Sequence, residues 1–262
     1  MKHHVALGIK AGVCGFCLFM SQNSMAGVIN WVDWQTATSG HVSGVGTSQG
    51  ETIGIEYDGI WNFVQTGTGT DYFYPDSPYT DNAVIDNRPP VAEMISITGG
   101  SDALTHTVRF SQAVVNPIMA IVSLGQPGVT VTYEFIDETF NILSSGTGFW
   151  GGAEPDSLFQ LTPSILTGIE GHGAIQFTGS YTEISWNVPT FENWHGFTFG
   201  FEMLASQQGG GEGGEDGGGD DGGGSNEGDG GGTSSGQAPV PGTLFLTALG
   251  FLALQHIRRR PA

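Results

Sequence analysis

The order of apolar and polar residues between positions 27 and 208 is that of β-strands. Short runs rich in valine, isoleucine, threonine and aromatic residues recur, and many alternate apolar with polar positions. No window keeps a helical period for more than two turns. The predicted strands are residues 28–34, 51–57, 93–97, 104–110, 118–124, 129–135, 173–179, 181–188 and 195–203. The pattern predicts an all-β fold, a two-sheet antiparallel β-sandwich of jelly-roll-like type.

The alternation within a run predicts which side chains face the core. In residues 104–110 one face is mostly apolar and consists of Leu104, His106, Val108 and Phe110. We therefore expect His106 to be packed or hydrogen-bonded in the core and not to bind a ligand. The runs 184–188 and 197–201 are expected to pair as neighbouring antiparallel strands, with the first and last strands of the domain meeting there.

Residues 1–26 are predicted to be a signal peptide. Basic residues precede the apolar run 11–20, and a small-x-small pattern predicts cleavage between Ala26 and Gly27. Both cysteines, Cys14 and Cys17, lie inside this segment. The mature chain is therefore expected to contain neither a thiol nor a disulfide.

Composition divides the rest of the chain. Residues 27–208 have the aromatic and β-branched content of a folded ectodomain, whereas residues 209–237 hold sixteen glycines and seven acids and no apolar residue. A segment without apolar side chains cannot offset its ordering entropy, so 209–237 is predicted to be a disordered linker. The absence of an apolar residue also argues against a calcium-binding β-roll there.

The charge of the ectodomain excludes one class of partner. Residues 27–208 contain nineteen aspartates and glutamates, two arginines and no lysine. Such a surface repels phosphate backbones, so nucleic acid is not an expected partner. Solubility in an external medium is the simplest interpretation of this charge.

One long loop combines aromatic rings with carboxylates. Between residues 67 and 90 the candidate contacts are Asp71, Tyr72, Tyr74, Asp76, Tyr79 and Asp81. Rings that stack on sugar faces and acids that accept hydroxyl hydrogen bonds are typical of glycan binding, and acids also bind calcium. An ordinary proline-rich loop has the same composition, and the five-residue interval between the acids is not that of an EF-hand. Calcium is the only cofactor that this composition suggests.

A second group of side chains belongs to two glycine-flanked loops. Glu170, His172, Glu192 and His195 would meet as metal ligands only if the loops at 168–173 and 191–196 share one end of the sandwich. Their spacing matches no zinc motif, and loop residues at strand ends are the favoured interpretation, so no metal site is predicted. The chain also lacks a Walker A motif and a catalytic cysteine, and we expect no enzymatic activity.

The C-terminal residues 238–262 form a three-part tail. A turn is followed by a mostly apolar segment, 242–257, and a basic cluster; the residues of the turn and cluster are Pro239, Val240, Pro241, Gly242, Thr243, Arg258, Arg259 and Arg260. As a helix, 242–257 would span about 24 Å, short of the roughly 30 Å of a bilayer core, a difference that snorkelling arginines and local thinning of the bilayer can cover. We therefore predict one transmembrane helix, with the arginines in the cytoplasm and residues 27–237 outside.

The order of turn, apolar segment and basic cluster resembles the PEP-CTERM sorting tail, which exosortase recognises in Gram-negative bacteria that make exopolysaccharide. That motif reads Pro-Glu-Pro, and Val240 replaces the glutamate here. The resemblance implies a processing protease of exosortase type as a partner and a single-pass inner-membrane form that precedes release or surface attachment. Tails of this kind are also catalogued as an ice-binding protein C-terminal domain, a label that describes the tail and not an ice-binding surface.

The ectodomain is similar in character to uncharacterised exported proteins with such tails. The similarity rests on four phrases, NPIMAIVSLGQPG, GFWGG, GIEGHGAIQF and FENWHGFTFG. It implies a surface or extracellular-matrix protein, structural or glycan-binding, in the exopolysaccharide of a biofilm. A secreted polysaccharide-acting enzyme and a calcium-stabilised adhesin are the alternatives.

Overall fold

The computed structural model describes residues 26–151 and 157–208, which form two antiparallel sheets. In chain order the elements are β1 (Asn30–Trp31), β2 (Asp33–Thr38), β3 (His41–Ser48), β4 (Glu51–Asp58), β5 (Phe63–Thr66), α1 (Ser77–Thr80), β6 (Glu93–Ile97), β7 (Ser101–Val115), β8 (Ile118–Leu124), β9 (Val131–Phe135), β10 (Asn141–Gly146), β11 (Leu158–Thr162), β12 (Ile165–Gly168), β13 (Gly171–Gln176), β14 (Ser180–Val188), β15 (His195–Phe201), β16 (Met203–Leu204) and a 3₁₀ turn, Ala205–Gln207. The all-β prediction is confirmed for this part of the chain.

The strands divide into a seven-stranded and a nine-stranded sheet. The first has the order β10-β13-β8-β15-β6-β5, with β1 also pairing with β15. The second has the order β11-β12-β9-β14-β7-β4-β3-β2, with β16 also pairing with β7. From β6 onward the chain changes sheet at every connection except the one between β11 and β12. The ends of strands from both sheets are thereby brought together.

Aromatic side chains from both sheets pack against one another in one core between the sheets. Trp186 of β14 meets Phe197 of β15 with ring centroids 5.2 Å apart and nearly perpendicular planes. Tyr57 of β4 meets the same phenylalanine at 5.5 Å. Edge-to-face contacts of this kind add to the hydrophobic free energy that holds the two sheets together.

The outer face of the seven-stranded sheet carries a second core. Phe73, Tyr79 and Ile85, all from the loop between β5 and β6, are buried against it. They cover Ile118, Ala120 and Val122 on β8. Because β8 is buried on both faces, all of its seven residues are buried, which explains its uninterrupted apolar sequence.

The sequence located some strands to the residue and missed others. The predicted runs 93–97 and 118–124 coincide with β6 and β8, whereas β3 lay outside every predicted run. β3 is rich in glycine and serine, which have low strand propensity. Its glycines are required by packing, since a Cβ on Gly44 would clash with the Asp33 carbonyl and one on Gly46 with the ring of Phe201.

The predicted pairing of 184–188 with 197–201 is wrong. These residues belong to β14 and β15, which lie in different sheets, so they meet through side chains and not through backbone hydrogen bonds. The six-residue connection 189–194 is long enough to cross the roughly 10 Å between packed sheets. The first and last of the predicted runs do meet, because Asn30 of β1 pairs with Phe201 of β15.

The face predicted for residues 104–110 is largely confirmed. His106, Val108 and Phe110 are buried, and Leu104 is exposed. His106 packs against the rings of both Tyr57 and Trp186, and its Nδ1 is 2.7 Å from the Tyr57 hydroxyl. Within the two described ranges, no helix is long and apolar enough to cross a membrane.

Candidate functional site

A pocket of about 800 Å³ lies where four segments of the chain converge. Three of them follow or precede strands of the seven-stranded sheet: 123–127 at the end of β8, 169–170 before β13, and 192–194 before β15. The fourth is the turn at 150–151, and Ser157 completes the wall. Each of the four segments lies within one of the four sequence phrases on which the ectodomain resemblance rests. Ser157 lies outside all four phrases.

The aromatic wall of the pocket is formed by Trp150 and Trp194. Their ring centroids are 5.0 Å apart at 72°. Trp150 occupies a tight turn closed by a hydrogen bond from the Gly151 amide to the Gly148 carbonyl. This turn presents the indole to solvent, and Trp150 remains 48 % exposed.

Further rings support the two tryptophans from behind. Tyr72 stacks on Trp150 with centroids 5.5 Å apart at 22° and meets Trp194 edge-on at 5.1 Å. Phe149 and Phe63 extend the group, the first against Trp150 at 4.9 Å and the second against Trp194 at 5.0 Å. The cluster holds the exposed indole of Trp150 in one orientation.

The polar wall contains a hydrogen-bonded pair, Ser123 and Glu170. The Ser123 hydroxyl donates to Glu170 Oε1 at 2.5 Å. Both residues have a left-handed backbone, with φ of 58° and 57°. The register of β8 and β13 shifts beside them, between Gly171 and Gly173, as at a β-bulge. Strained non-glycine residues and bulges cluster at functional sites, where they aim a side chain.

A second carboxylate, Glu192, is held deeper in the wall. Its Oε1 accepts a hydrogen bond from the Gly125 amide at 2.8 Å and lies 2.5 Å from His195 Nδ1. Both members of this Glu–His pair are buried. The ring of Tyr133 packs on His195 with centroids 5.2 Å apart. The pair fixes the loop that carries Trp194 onto the sheet.

Two buried polar side chains near the pocket are unsatisfied. Ser157 is 4 % exposed, and its hydroxyl has no hydrogen-bond partner among the residues that the structure describes. The same holds for both ring nitrogens of His172, whose ring lies near Trp150. Burial lowers the pKa of His172 to about 4, so this ring is neutral at pH 7. Gly148 is required here because a Cβ would clash with the imidazole.

The sequence analysis predicted no metal site at Glu170, His172, Glu192 and His195, and the structure divides these residues into separate contacts. Glu170 bonds Ser123, and Glu192 bonds His195. In residues 26–151 and 157–208, no group of three or more histidine, cysteine or acidic side chains is arranged to hold a metal ion.

The candidate contacts of the long loop go to different environments. Asp71 receives two hydrogen bonds of 2.8 Å from Arg88, whose Nε lies 3.0 Å from Asp76. Tyr72 joins the aromatic cluster at the pocket. Tyr74 is 63 % exposed and Asp81 is also exposed, away from the pocket lining.

Tyr79 does not reach solvent at all. It is 0 % exposed in the second core and donates to the Ile121 carbonyl at 3.3 Å. The prediction that Tyr79 contacts glycan or calcium is therefore wrong, because its side chain packs against the seven-stranded sheet that α1 covers. Of the six candidates, only Tyr72 contacts residues that line the pocket, namely Trp150 and Trp194, and Tyr72 itself is not part of the lining.

The predicted processing sites lie at the edges of the described region or outside it. Gly27 bonds the loop through its amide to the Val84 carbonyl at 2.9 Å, and its carbonyl accepts from the Asp86 amide at 3.0 Å. If the chain is cleaved after Ala26, the first residue of the mature chain is Gly27, which is hydrogen-bonded to this loop. The linker 209–237 and the sorting residues of 238–262 lie outside the described residues, and both stay predictions.

Sequence reasoning missed the pocket's main residues. Trp150, Trp194 and Ser123 come from runs separated by 20 residues or more, and no local motif joins them. The one usable signal was a pair of aromatic residues between glycines, at 148–152, since such a turn exposes large rings that a core would otherwise bury.

Comparisons with known proteins give no relative for this chain: no family model matches it, and no curated protein or solved structure matches it significantly. A function has to be inferred from the pocket itself.

Proposed function

We propose that this chain is an exported surface or extracellular-matrix protein that binds glycan through the pocket around Trp150 and Trp194. The observation that carries the proposal is the juxtaposition of an exposed indole with the Glu170 carboxylate in one pocket. An indole face packs on the apolar face of a pyranose, while a carboxylate accepts hydrogen bonds from sugar hydroxyls. Asn193 adds an amide that both donates and accepts.

Preorganisation supports binding at this pocket. The Trp150 ring is held by Tyr72 and Trp194, and the Glu170 carboxylate is held by Ser123. A ligand therefore meets groups that have already lost their rotamer freedom, which lowers the entropic cost of binding. The strained backbone at Ser123 and Glu170 is consistent with selection for that geometry.

The remaining parts of the proposal concern architecture and export. The two sheets would form a jelly-roll-like sandwich, which the frequent change of sheet along the chain supports. Residues 209–237 would be a disordered linker, and 242–257 a transmembrane helix that anchors the chain in the inner membrane before an exosortase-type protease acts. The polysaccharide outside the cell would be the ligand, and nucleic acid would not be a partner.

Affinity electrophoresis of the full chain, purified in detergent, tests glycan binding. Gels containing the exopolysaccharide of its own host should retard the native chain and the Trp61→Ala variant, because Trp61 lies outside the pocket. The Trp150→Ala variant should migrate freely. If all three proteins migrate equally in gels with and without polysaccharide, the proposal is refuted. Release of reducing ends during incubation would instead favour the polysaccharide-acting enzyme.

Sorting is tested separately by intact mass and cell fractionation in the host, with and without its exosortase. A shortened species outside normal cells, and an intact one in the inner membrane of cells without exosortase, would support processing of the tail. An intact tail in both strains would show that the Pro239–Val240–Pro241 sequence is not a processing signal.

A further inference from the structure

We propose that the pocket selects a glycan that carries free amines, such as one built from hexosamine units with unacylated nitrogen, over an acidic glycan. The inference rests on the proposed function and names the chemical class of its ligand. It depends on four features of the pocket and its surroundings: an available carboxylate, the absence of available cations, an unsatisfied hydroxyl and an exposed indole.

The available carboxylate is that of Glu170. Ser123 bonds its Oε1, and among the described residues its Oε2 has no hydrogen-bond partner. Glu192 is already bonded to Gly125 and His195, so Glu170 is the carboxylate that a ligand meets. An ammonium group donates up to three hydrogen bonds and attracts a carboxylate electrostatically, whereas a carboxylate repels a uronic acid.

No cation in residues 26–151 and 157–208 is available to receive an acidic sugar. Arg88 is bonded to Asp71 and Asp76, and Arg109 lies against Asp58 and Glu183. The domain has no lysine. His172, which is near Trp150, is neutral because it is buried. An acidic glycan would therefore lose its hydration at the pocket without gaining an ion pair.

Ser157 gives an independent indication that a polar ligand is missing. Its buried side chain lines the pocket, and its hydroxyl is unsatisfied within the described part of the chain. Leaving a buried hydroxyl without a partner is costly, so native proteins nearly always provide one. Rotation of the Ser157 side chain toward the pocket would let a hydroxyl or amine of the ligand supply that partner.

Trp150 favours an amine for a further reason. An ammonium group over an indole face gains a cation–π attraction in addition to the packing that a neutral sugar obtains. The indole is accessible to such a ligand because Trp150 is partly exposed. Amine, indole and carboxylate would then interact at the same subsite.

Isothermal titration of the full chain in detergent tests the selectivity with three tetrasaccharides: glucosamine, N-acetylglucosamine and galacturonic acid. The pH is set to about 5.5, above the ordinary pKa of a carboxyl group and below that of a sugar amine, so that both groups are charged. We expect the glucosamine tetramer to bind about tenfold or more tightly than the other two, with a preference that weakens as salt is added. The salt dependence tests the electrostatic attraction on the native chain alone, without a variant.

Two matched variants locate the effect. Glu170→Gln should weaken binding of the glucosamine tetramer about tenfold and leave the N-acetylglucosamine tetramer within about twofold. Glu56→Gln removes the same charge from an exposed strand position outside the pocket and should change neither. Equal losses in both variants would assign the attraction to overall surface charge and overturn the inference.

The remaining outcomes distinguish the inference from the proposed function. If the N-acetylated or the acidic tetramer binds as tightly as the amine, the selectivity is refuted and glycan binding stands. If no tetramer and no host polysaccharide binds, the proposed function fails, and the inference fails with it.

Discussion

The hydroxyl of Ser123 and the carboxylate of Glu170 are joined by a 2.5 Å hydrogen bond between two residues that both have a left-handed backbone. Such a conformation costs about 1 kcal/mol or more for a residue with a Cβ. The pair lies beside the register shift of β8 and β13, in the wall of the pocket. Backbone strain therefore coincides with the side chains proposed to bind ligand.

Replacing Glu170 by glycine separates stability from binding. Glycine adopts a positive φ without strain, so the relief offsets the lost hydrogen bond, and we expect the free energy of unfolding to change by less than about 1 kcal/mol. Binding of the glycan should weaken about tenfold. Urea denaturation and calorimetric titration of the same protein give the two quantities. A large loss of stability with unchanged affinity would assign Glu170 a structural role only.

The loop between β5 and β6 should be stabilised by Tyr79 and not by Tyr74. Tyr79→Ala leaves a cavity in the second core and should lower the free energy of unfolding by about 3 kcal/mol or more. Tyr74→Ala removes an exposed ring and should change it by less than about 0.5 kcal/mol. The midpoints of urea unfolding provide the comparison. Similar midpoints for both variants would contradict the packing of this loop.

Glu93 should make stability fall as the pH rises. Burial raises the pKa of this carboxyl to about 7, even though the Trp34 amide donates to it at 2.7 Å. A raised pKa means that the folded state holds the proton more tightly than the unfolded state, so the stabilisation is complete below about pH 4.5 and is lost as the pH passes 7. The native chain should lose roughly 1–3 kcal/mol over this interval relative to Glu93→Gln.

The Glu93→Gln variant isolates this contribution. Burial lowers the pKa values of His106 and His172 to about 4, which makes both proteins less stable as the pH falls from about 6.5 toward 4. Because these histidines are present in both, they cancel in the difference. Chemical denaturation of the two proteins at pH 4.5 and pH 8 provides the measurement. Parallel pH profiles would show that Glu93 is not protonated in the folded state.

Calcium should leave the melting temperature of the native chain unchanged, because Arg88 already bonds Asp71 and Asp76. Arg88→Met should lower the free energy of unfolding by about 1–2 kcal/mol, since the two carboxylates then repel each other unpaired. Calcium should restore part of that loss. Thermal melts in calcium and in chelator test both statements. A melting temperature of the native chain raised by several degrees in calcium would favour the adhesin alternative.

The loop between β5 and β6 shows the limit of what local composition can predict. Its aromatic and acidic composition predicted ligand contact, yet only Tyr72 joins the aromatic cluster behind the pocket, while Tyr79 is in a core and Asp71 is paired with Arg88. Composition does not distinguish a ring that faces solvent from one that covers a sheet. That distinction depends on which outer face needs burial, and here it was the outer face of β8.

The sequence by itself determined the strand character of residues 27–208, the position of β8 and the core position of His106, because period and composition are local properties of the chain. Only the tertiary structure decided that β14 and β15 lie in opposite sheets and that Gly44 and Gly46 belong to a strand. It also decided that Trp150, Trp194, Ser123 and Glu170 share one pocket. The geometry of these relationships follows from how the two sheets pack, which no local pattern encodes.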